Sequence, residues 1–337
     1  MSEPQSSAPD RAARSPECPT AAASAAAWLE YMKDGRFEDA WRISDSLRVT
    51  HPEAFDRSLP RHVQSIWTGA PLDGKRVLVR CYHGLGDTIQ FIRYVRLLRR
   101  HASAVLVWVQ PKLIPLLESV DGIDALLPLH DGTPDADYDV DVEVMELPYV
   151  FRTTADSVPR DVPYLRVPRT ATTQLPAGLL SDHRTRPAVG IVWRAGDWAS
   201  HRSIPFAELA PLLEVPVDWY VLQGEPGLHD CPRGFGQVCG THDIGEASAA
   251  IDALDLLITI DSMPAHLAGA LGTPVWTLLS ADADWRWMRG RTDSPWYPSM
   301  RLYRQQHGDA GWPPVIARAG AALERVRPRV QTATAAR

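Results

Sequence analysis

Val77, Leu78 and Val79 make a short β-branched and aliphatic run that passes through a glycine turn into a segment whose apolar residues Ile89, Ile92, Val95 and Leu98 recur at helical spacing. A continuous apolar strand is buried on both faces, and such a strand feeding directly into a helix is the opening unit of a parallel α/β sheet. The spacing predicts a strand over 77–81 and a helix over 88–100. Between them lie Gly84, Gly86 and one carboxylate, Asp87. Glycines permit a tight or left-handed turn there, and the N–H groups of a helix start favour an anionic ligand or an oxyanion. Asp87 is expected at the N-cap, where a side-chain oxygen satisfies a helix N–H. The same carboxylate, in the mouth of a cleft, could take a proton from a hydroxyl. A dinucleotide fingerprint does not follow, because Ile89 occupies the third glycine position and the next strand, 105–109, ends in Gln110 rather than in an acid.

The alternation continues with strands at 105–109, 125–128 and 140–144 and a helix at 112–120. Residues 167–187, rich in Pro and Thr, read as a linker. The same grammar then restarts, with strands at 189–193, 219–223, 256–260 and 275–278 and helices near 206–213, 247–254 and 265–271. The fold class is therefore α/β: two Rossmann-like, doubly wound parallel-sheet domains at 74–168 and 187–326, facing a cleft. A length of 337 residues accommodates two cores. Residues 1–21 and 327–337 read as disordered tails. Residues 22–70 read as a small helical appendage of two or three helices, with Trp28, Leu29 and Met32 on one face, a break at Gly35, then Phe37, Ala40, Trp41 and Leu47.

The formal charge of −6, with both signs mixed, excludes the footprint of a nucleic-acid binder. Arg93, Arg96, Arg99 and Arg100 read as the solvated face of one helix, a face that could touch anionic lipid. Cys18, Cys81, Cys231 and Cys239 have neither zinc-site nor disulfide-scaffold spacing, which points to a reducing cytoplasm. No apolar run reaches the ~20 residues of a membrane span, and Ala21–Ala27 lacks the flanks of a signal peptide.

A second strand-to-helix junction follows strand 256–260, in Asp261-Ser262-Met263-Pro264-Ala265-His266. Ser262 can cap the helix, and His266, one turn in, could reach a phosphate oxygen as a protonated or donating imidazole. Equally, Asp261 and Ser262 could cap while His266 satisfies a buried hydrogen bond. Two Asp-x-Asp strings, Asp135/Asp137 and Asp282/Asp284, have a spacing that can hold a divalent metal, but helix starts and arginines already supply positive charge, so no metal is assigned. Trp285 and Trp287 are expected to pack rather than to form a stacking wall.

The ordered stretches GLGDTIQFIRYVRLL, VGIVWRAG, HRSIPFAEL, LDLLITIDSMPAHLAGALGTPVWTLL and DWRWMRGRTDSPWYPSMRLYRQ together resemble glycosyltransferase family 9, the heptosyltransferase-like family, over about 75–326. The string Gly35-Arg36-Phe37-Glu38-Asp39-Ala40-Trp41 is similar to part of a tetratricopeptide repeat, and so to the bacterial branch in which such repeats precede the transferase. A single unit does not stack, so it is expected to be a cap on the main body. The resemblance implies a GT-B fold and inverting, metal-independent transfer from a nucleotide-sugar donor, with no cofactor. It implies Asp87 as general base, with Gly86, Asp261, Ser262, Met263 through its N–H, and His266 on the donor side. Arg202 stands where the family has a lysine, with Arg194 as its neighbouring substitute, and Gln223 is expected near the base and ribose. The family usually has glycine where Met263 and Pro264 stand. ADP-heptose and an acceptor hydroxyl on a glycan, the lipopolysaccharide core or a protein are the implied partners, at the inner face of the inner membrane. The alternative is a noncatalytic, transferase-like scaffold whose cap recruits a partner, with Asp87 capping its helix only.

Overall fold

A computed structural model describes residues 20–50, 57–61, 64–171, 175–181 and 184–329. The tails expected at 1–19 and 330–337, Cys18, any helix within 51–56, and parts of the 167–187 linker lie outside the described residues. The first half carries strands β1 (Arg76–Arg80), β2 (Ala104–Val109), β3 (Ala125–Pro128) and β4 (Val140–Glu143), all parallel in the order β3-β2-β1-β4. The second half carries β5 (Ala188–Val192), β6 (Asp218–Val221), β7 (Gln237–Val238), β8 (Leu256–Ile260), β9 (Val275–Leu279) and β10 (Met300–Arg304), parallel in the order β10-β9-β8-β5-β6-β7. Strand order reverses beside β1 in the first sheet and between β5 and β8 in the second. Loops leaving those strands diverge to opposite faces and open a crevice, which is where α/β proteins bind ligands. Asp87 follows β1, Arg194 and Arg202 follow β5, and Asp261 follows β8.

The fully apolar strands predicted from the sequence are present within a residue or two of the expected bounds. The helices differ more. The segment predicted as one helix is α-helical at Leu85–Phe91, 3₁₀ at Ile92–Tyr94 and α-helical again at Val95–Leu98. That tighter turn rotates Arg93 off the expected solvated face. Arg93 is buried, donating to the carbonyls of Gln90, Pro159 and Trp296 and to the Tyr164 hydroxyl, so it ties the two halves together instead of meeting solvent or lipid.

One apolar cluster runs from the first sheet through the second, and residues of the N-terminal helices belong to it: Met32, Phe37 and Trp41 share it with Val79, Phe91, Trp285 and Trp296. Helices α1 (Ala21–Lys33) and α2 (Phe37–Thr50) form a hairpin turning at Asp34–Arg36, where the repeat-like string begins. The hairpin touches both halves. Trp41 Nε1 donates to the Thr153 carbonyl at 2.7 Å and Arg152 pairs with Asp45 at 2.7 Å on one side. On the other, Trp28 packs edge-on against Trp285, and Arg289 holds Glu30 and Asp34 at 2.8 and 2.9 Å. Among the described residues no helix is long and apolar enough to cross a membrane.

Within the second half, Gly269 packs directly against the ring of Tyr297. A Cβ at that position would overlap the Tyr297 ring, which is fully buried and cannot yield. Gly269→Ala is expected to cost about 1–3 kcal/mol of stability as an overpacked site, read as a lowered denaturation midpoint with unchanged m-value.

Candidate active site

Helix α3 (Leu85–Phe91) begins earlier than its apolar pattern suggested, so Gly84 is the N-cap and Asp87 stands in the first turn. Asp87 reaches back instead of capping forward: its Oδ2 accepts the Gly84 N–H at 2.9 Å. Neither Gly84 nor Gly86 takes a positive φ, so the turn does not need them for left-handed backbone. Gly86 serves close approach. A Cβ there would sit 3.0 Å from His266 Cδ2 and 3.4 Å from Met263 Cα. The start of α3 is thus pressed against the start of the helix after β8, here α4 (Met263–Leu271), and the two switch points face each other.

Across this contact, Arg286 donates to Asp87 Oδ1 in a tight charge-assisted hydrogen bond. Its other terminal nitrogen donates to Asp284 at 2.8 Å, and the Asp284 carboxylate also accepts the Arg286 N–H at 3.0 Å. Arg286 is buried; burial opposes its charge, but Asp284 and Asp87 hold the guanidinium charged. Burial likewise works against the Asp284 anion, yet Arg286 brings its pKa below the ordinary carboxylate value. Beyond Asp284 lies a 220 Å³ cavity also lined by Arg202, Asp261, Asp282, Ser280, His201 and, from the hairpin, Leu29 and Lys33. Arg202 faces Asp261 at 3.3 Å. Asp261 is raised by burial, with Arg202 opposing.

The sequence-selected residues divide. Asp87, Gly86, Met263 and His266 gather at the junction of the two helix starts, and Arg202 and Asp261 line the adjoining cavity. Ser262 sits at the N-cap but does not cap. Pro264 lacks an N–H and the Ala265 N–H is taken by the Ser262 carbonyl at 3.0 Å, so the hydroxyl turns to the Ile260 carbonyl and Thr259 at 3.4 Å. Gln223 uses its amide internally: Oε1 accepts the N–H groups of Trp193 and Arg194 at 3.2 and 2.9 Å. A ligand near Gln223 would meet the loop it shapes, not its amide. Arg194 lies 3.7 Å from Asp230 and does not line the cavity. Asp135 and Asp137 lie in an exposed loop of the first half.

His266 corrects one expectation. It is 5% exposed, stacked on Trp287 at 5.3 Å, with Nδ1 at 3.0 Å from the Tyr297 hydroxyl. Burial, then the Arg286 and Arg93 charges, push its pKa well below 6.5, which favours the neutral, donating ring over the protonated one. Because the folded-state pKa is depressed, the stability this neutral ring contributes is complete above the unfolded value near 6.5 and is lost as pH falls toward the folded pKa. Between pH 7 and 5.5 wild type is expected to lose about 1 kcal/mol more than His266→Gln, measured by denaturant unfolding of both at each pH.

Four contributors escaped sequence reading. Arg286 sits in the Trp285-Arg286-Trp287 string where only aromatics drew notice, and Lys33 and Leu29 lie 54 or more positions before Asp87 with no motif of their own. Glu143, which ends β4 beside the junction, is buried with its pKa raised well above 4.5 by desolvation, and its carboxylate accepts the Met145 N–H at 2.6 Å. A lone acid closing an apolar strand was its only signal. Trp285 and Trp287 are buried, as expected of packing aromatics.

Two parallel-sheet halves meeting at their switch points, with a helical region before them, give the chain a GT-B-type fold. Residues 226–322 match the profile of Glycosyltransferase family 9 (heptosyltransferase). Protein FlbA of Caulobacter vibrioides is 26% identical, in an alignment taking in 76% of this chain and 48% of FlbA, so the chain spans about half the length of that relative. The crystal structure of a glycosyl transferase family 9 protein from Veillonella parvula aligns with a TM-score of 0.55 at 15% identity, covering 76% of this chain and 98% of that one. For the E. coli ADP-heptose lps heptosyltransferase II the TM-score is 0.48 at 16% identity, with coverage of 74% and 98%.

Proposed function

We propose that the chain is an inverting, metal-independent glycosyltransferase that moves a sugar from a nucleoside diphosphate donor to an acceptor hydroxyl. The observation that carries this reading is the line Asp87, Arg286, Asp284, which leads from the first-half turn into a cavity holding Arg202 and Asp261. Asp87 is the general base. Both its oxygens are engaged, but each carboxylate oxygen has a second lone pair, and the side chain is 24% exposed, so an acceptor hydroxyl can reach it. Arg286 holds that carboxylate in place and keeps positive charge beside the reacting centre.

Arg202, the Met263 N–H and a neutral His266 donating from Nε2 offer hydrogen bonds to the leaving diphosphate. Inversion follows from a single displacement, since one base and one leaving-group site face each other across the junction. Metal independence is supported by the pairing of two of the three cavity carboxylates with arginines: Asp284 is bound by Arg286 and Asp261 by Arg202, leaving Asp282 at the exposed edge. The cavity is smaller than the roughly 300–1,000 Å³ of typical small-molecule sites. It fits the phosphosugar end of a donor, while the nucleoside lies along the strand ends toward Gly224. The match of 226–322 to a heptosyltransferase family profile makes ADP-heptose the first donor to try, with a glycan, the lipopolysaccharide core or a protein as acceptor.

A thermal-shift panel of nucleoside diphosphates and nucleotide sugars tests the reading, because a ligand bound only by the native state raises its apparent stability. A shift with one nucleotide series, followed by turnover of the matching sugar donor in the presence of a chelator, is the expected result. No shift with any member would remove it.

A further inference from the structure

We infer that the N-terminal hairpin is a third wall of the donor site, in which the Lys33 ammonium shares the diphosphate charge with Arg202 and Leu29 lies against the sugar. This rests on the donor reading of the cavity above. Two of the cavity's lining residues, Leu29 and Lys33, come from α1, which lies well before both sheets and outside the 226–322 segment that matches the family profile. The other walls supply three carboxylates, Asp261, Asp282 and Asp284, against Arg202 and His201. A diphosphate entering such a space needs more positive charge than Arg202 alone provides, since Arg202 already faces Asp261.

Lys33 is the cation placed to supply it. Its side chain is 18% exposed, and its nearest carboxylate, Glu30, is 3.9 Å away and itself half exposed. An ion pair of that kind contributes little and competes weakly with a bound anion. Glu30 is moreover held by Arg289 at 2.8 Å. Leu29 is one of few large apolar side chains left exposed among the described residues. At the edge of a polar cavity, an aliphatic surface suits the C–H face of a sugar ring.

The helix is fixed where this contact needs it. The Arg289 N–H donates to the Lys33 carbonyl at 2.7 Å, its guanidinium binds Asp34, and Trp28 packs on Trp285, next to Asp284. Lys33 therefore starts from an ordered backbone and loses little freedom on binding. The same hairpin bonds the first half through Trp41 and Asp45, so the third wall stays in register with the Asp87 side of the junction.

The test uses the full chain and titration calorimetry with inorganic pyrophosphate and the nucleoside diphosphate selected by the thermal-shift panel. Lys33→Met keeps the aliphatic stem and removes the charge. It is expected to weaken both ligands about tenfold and to flatten the salt dependence of binding, with its melting temperature unchanged; Lys33→Arg is expected to restore most of the affinity. Leu29→Ala is expected to leave pyrophosphate binding unchanged and to raise the KM of the nucleotide sugar. Wild-type affinity in Lys33→Met, alongside weakened binding in Arg202→Ala, would overturn the hairpin's role while keeping the donor site. Absence of pyrophosphate and nucleotide binding by wild type would overturn both.

Discussion

Asp87→Asn is expected to lower donor turnover by about 10²–10⁴-fold, the range for loss of a positioned base, while nucleoside diphosphate affinity stays within about twofold of wild type because no donor-side group is touched. Asn can still accept the Gly84 N–H through its carbonyl oxygen, so the first turn of α3 keeps its backbone bond. What it cannot do is take a proton or balance the Arg286 charge. A modest fall in melting temperature is therefore expected beside the kinetic loss. Initial-rate kinetics and calorimetry on the same preparation separate the two effects. Turnover within about threefold of wild type would remove Asp87 as the base and leave it a helix-positioning residue.

Arg286→Met is expected to produce the largest loss of stability of any single change at the junction, about 3–5 kcal/mol, as when one partner of a buried ion pair is removed. Arg286 is 7% exposed, and its guanidinium bridges two carboxylates from opposite halves. Without it, Asp284 is left half-buried and anionic, and the two helix starts lose their cross-junction tie. Arg286→Lys should recover only part of the loss, because one ammonium cannot reproduce the forked contact to both acids. The Asp284→Asn/Arg286→Met double variant should be less destabilised than the sum of the singles, since removing the acid removes the unpaired charge. Urea unfolding of the four proteins measures the cycle, and strict additivity would show that the pair is not coupled.

The parts of this molecule legible in the chain are those that local pattern encodes. Continuous apolar runs marked β1, β5 and β8, and their order relative to intervening helices placed Asp87, Arg202 and Asp261 at strand ends that proved to be switch points. Helix starts were less legible. Pro264 removes the N–H that Ser262 would have capped, and α3 opens on Leu85 and Gly86, which carry no cap signal. Arg93 is not on that solvated face because the 3₁₀ turn that carries it is packed against Tyr164 and Trp296, which take its guanidinium, a contact no local pattern encodes. The hairpin is expected as a cap on the main body, and Phe37, Trp41 and Trp28 pack it against both halves at once, a choice that depends on which aromatic surfaces lie opposite.

Sequence alone determined that this chain builds two parallel sheets with a carboxylate at one junction and an anion-favouring helix start at the other, because strand and helix periods are written in neighbouring residues. Tertiary structure decided the rest: that Arg286 grips Asp87 from 199 positions away, that His266 is neutral, and that Lys33 reaches the cavity. Charge pairing, desolvation and cavity walls arise from segments distant in the chain that packing brings together, and no local pattern records which segments those are.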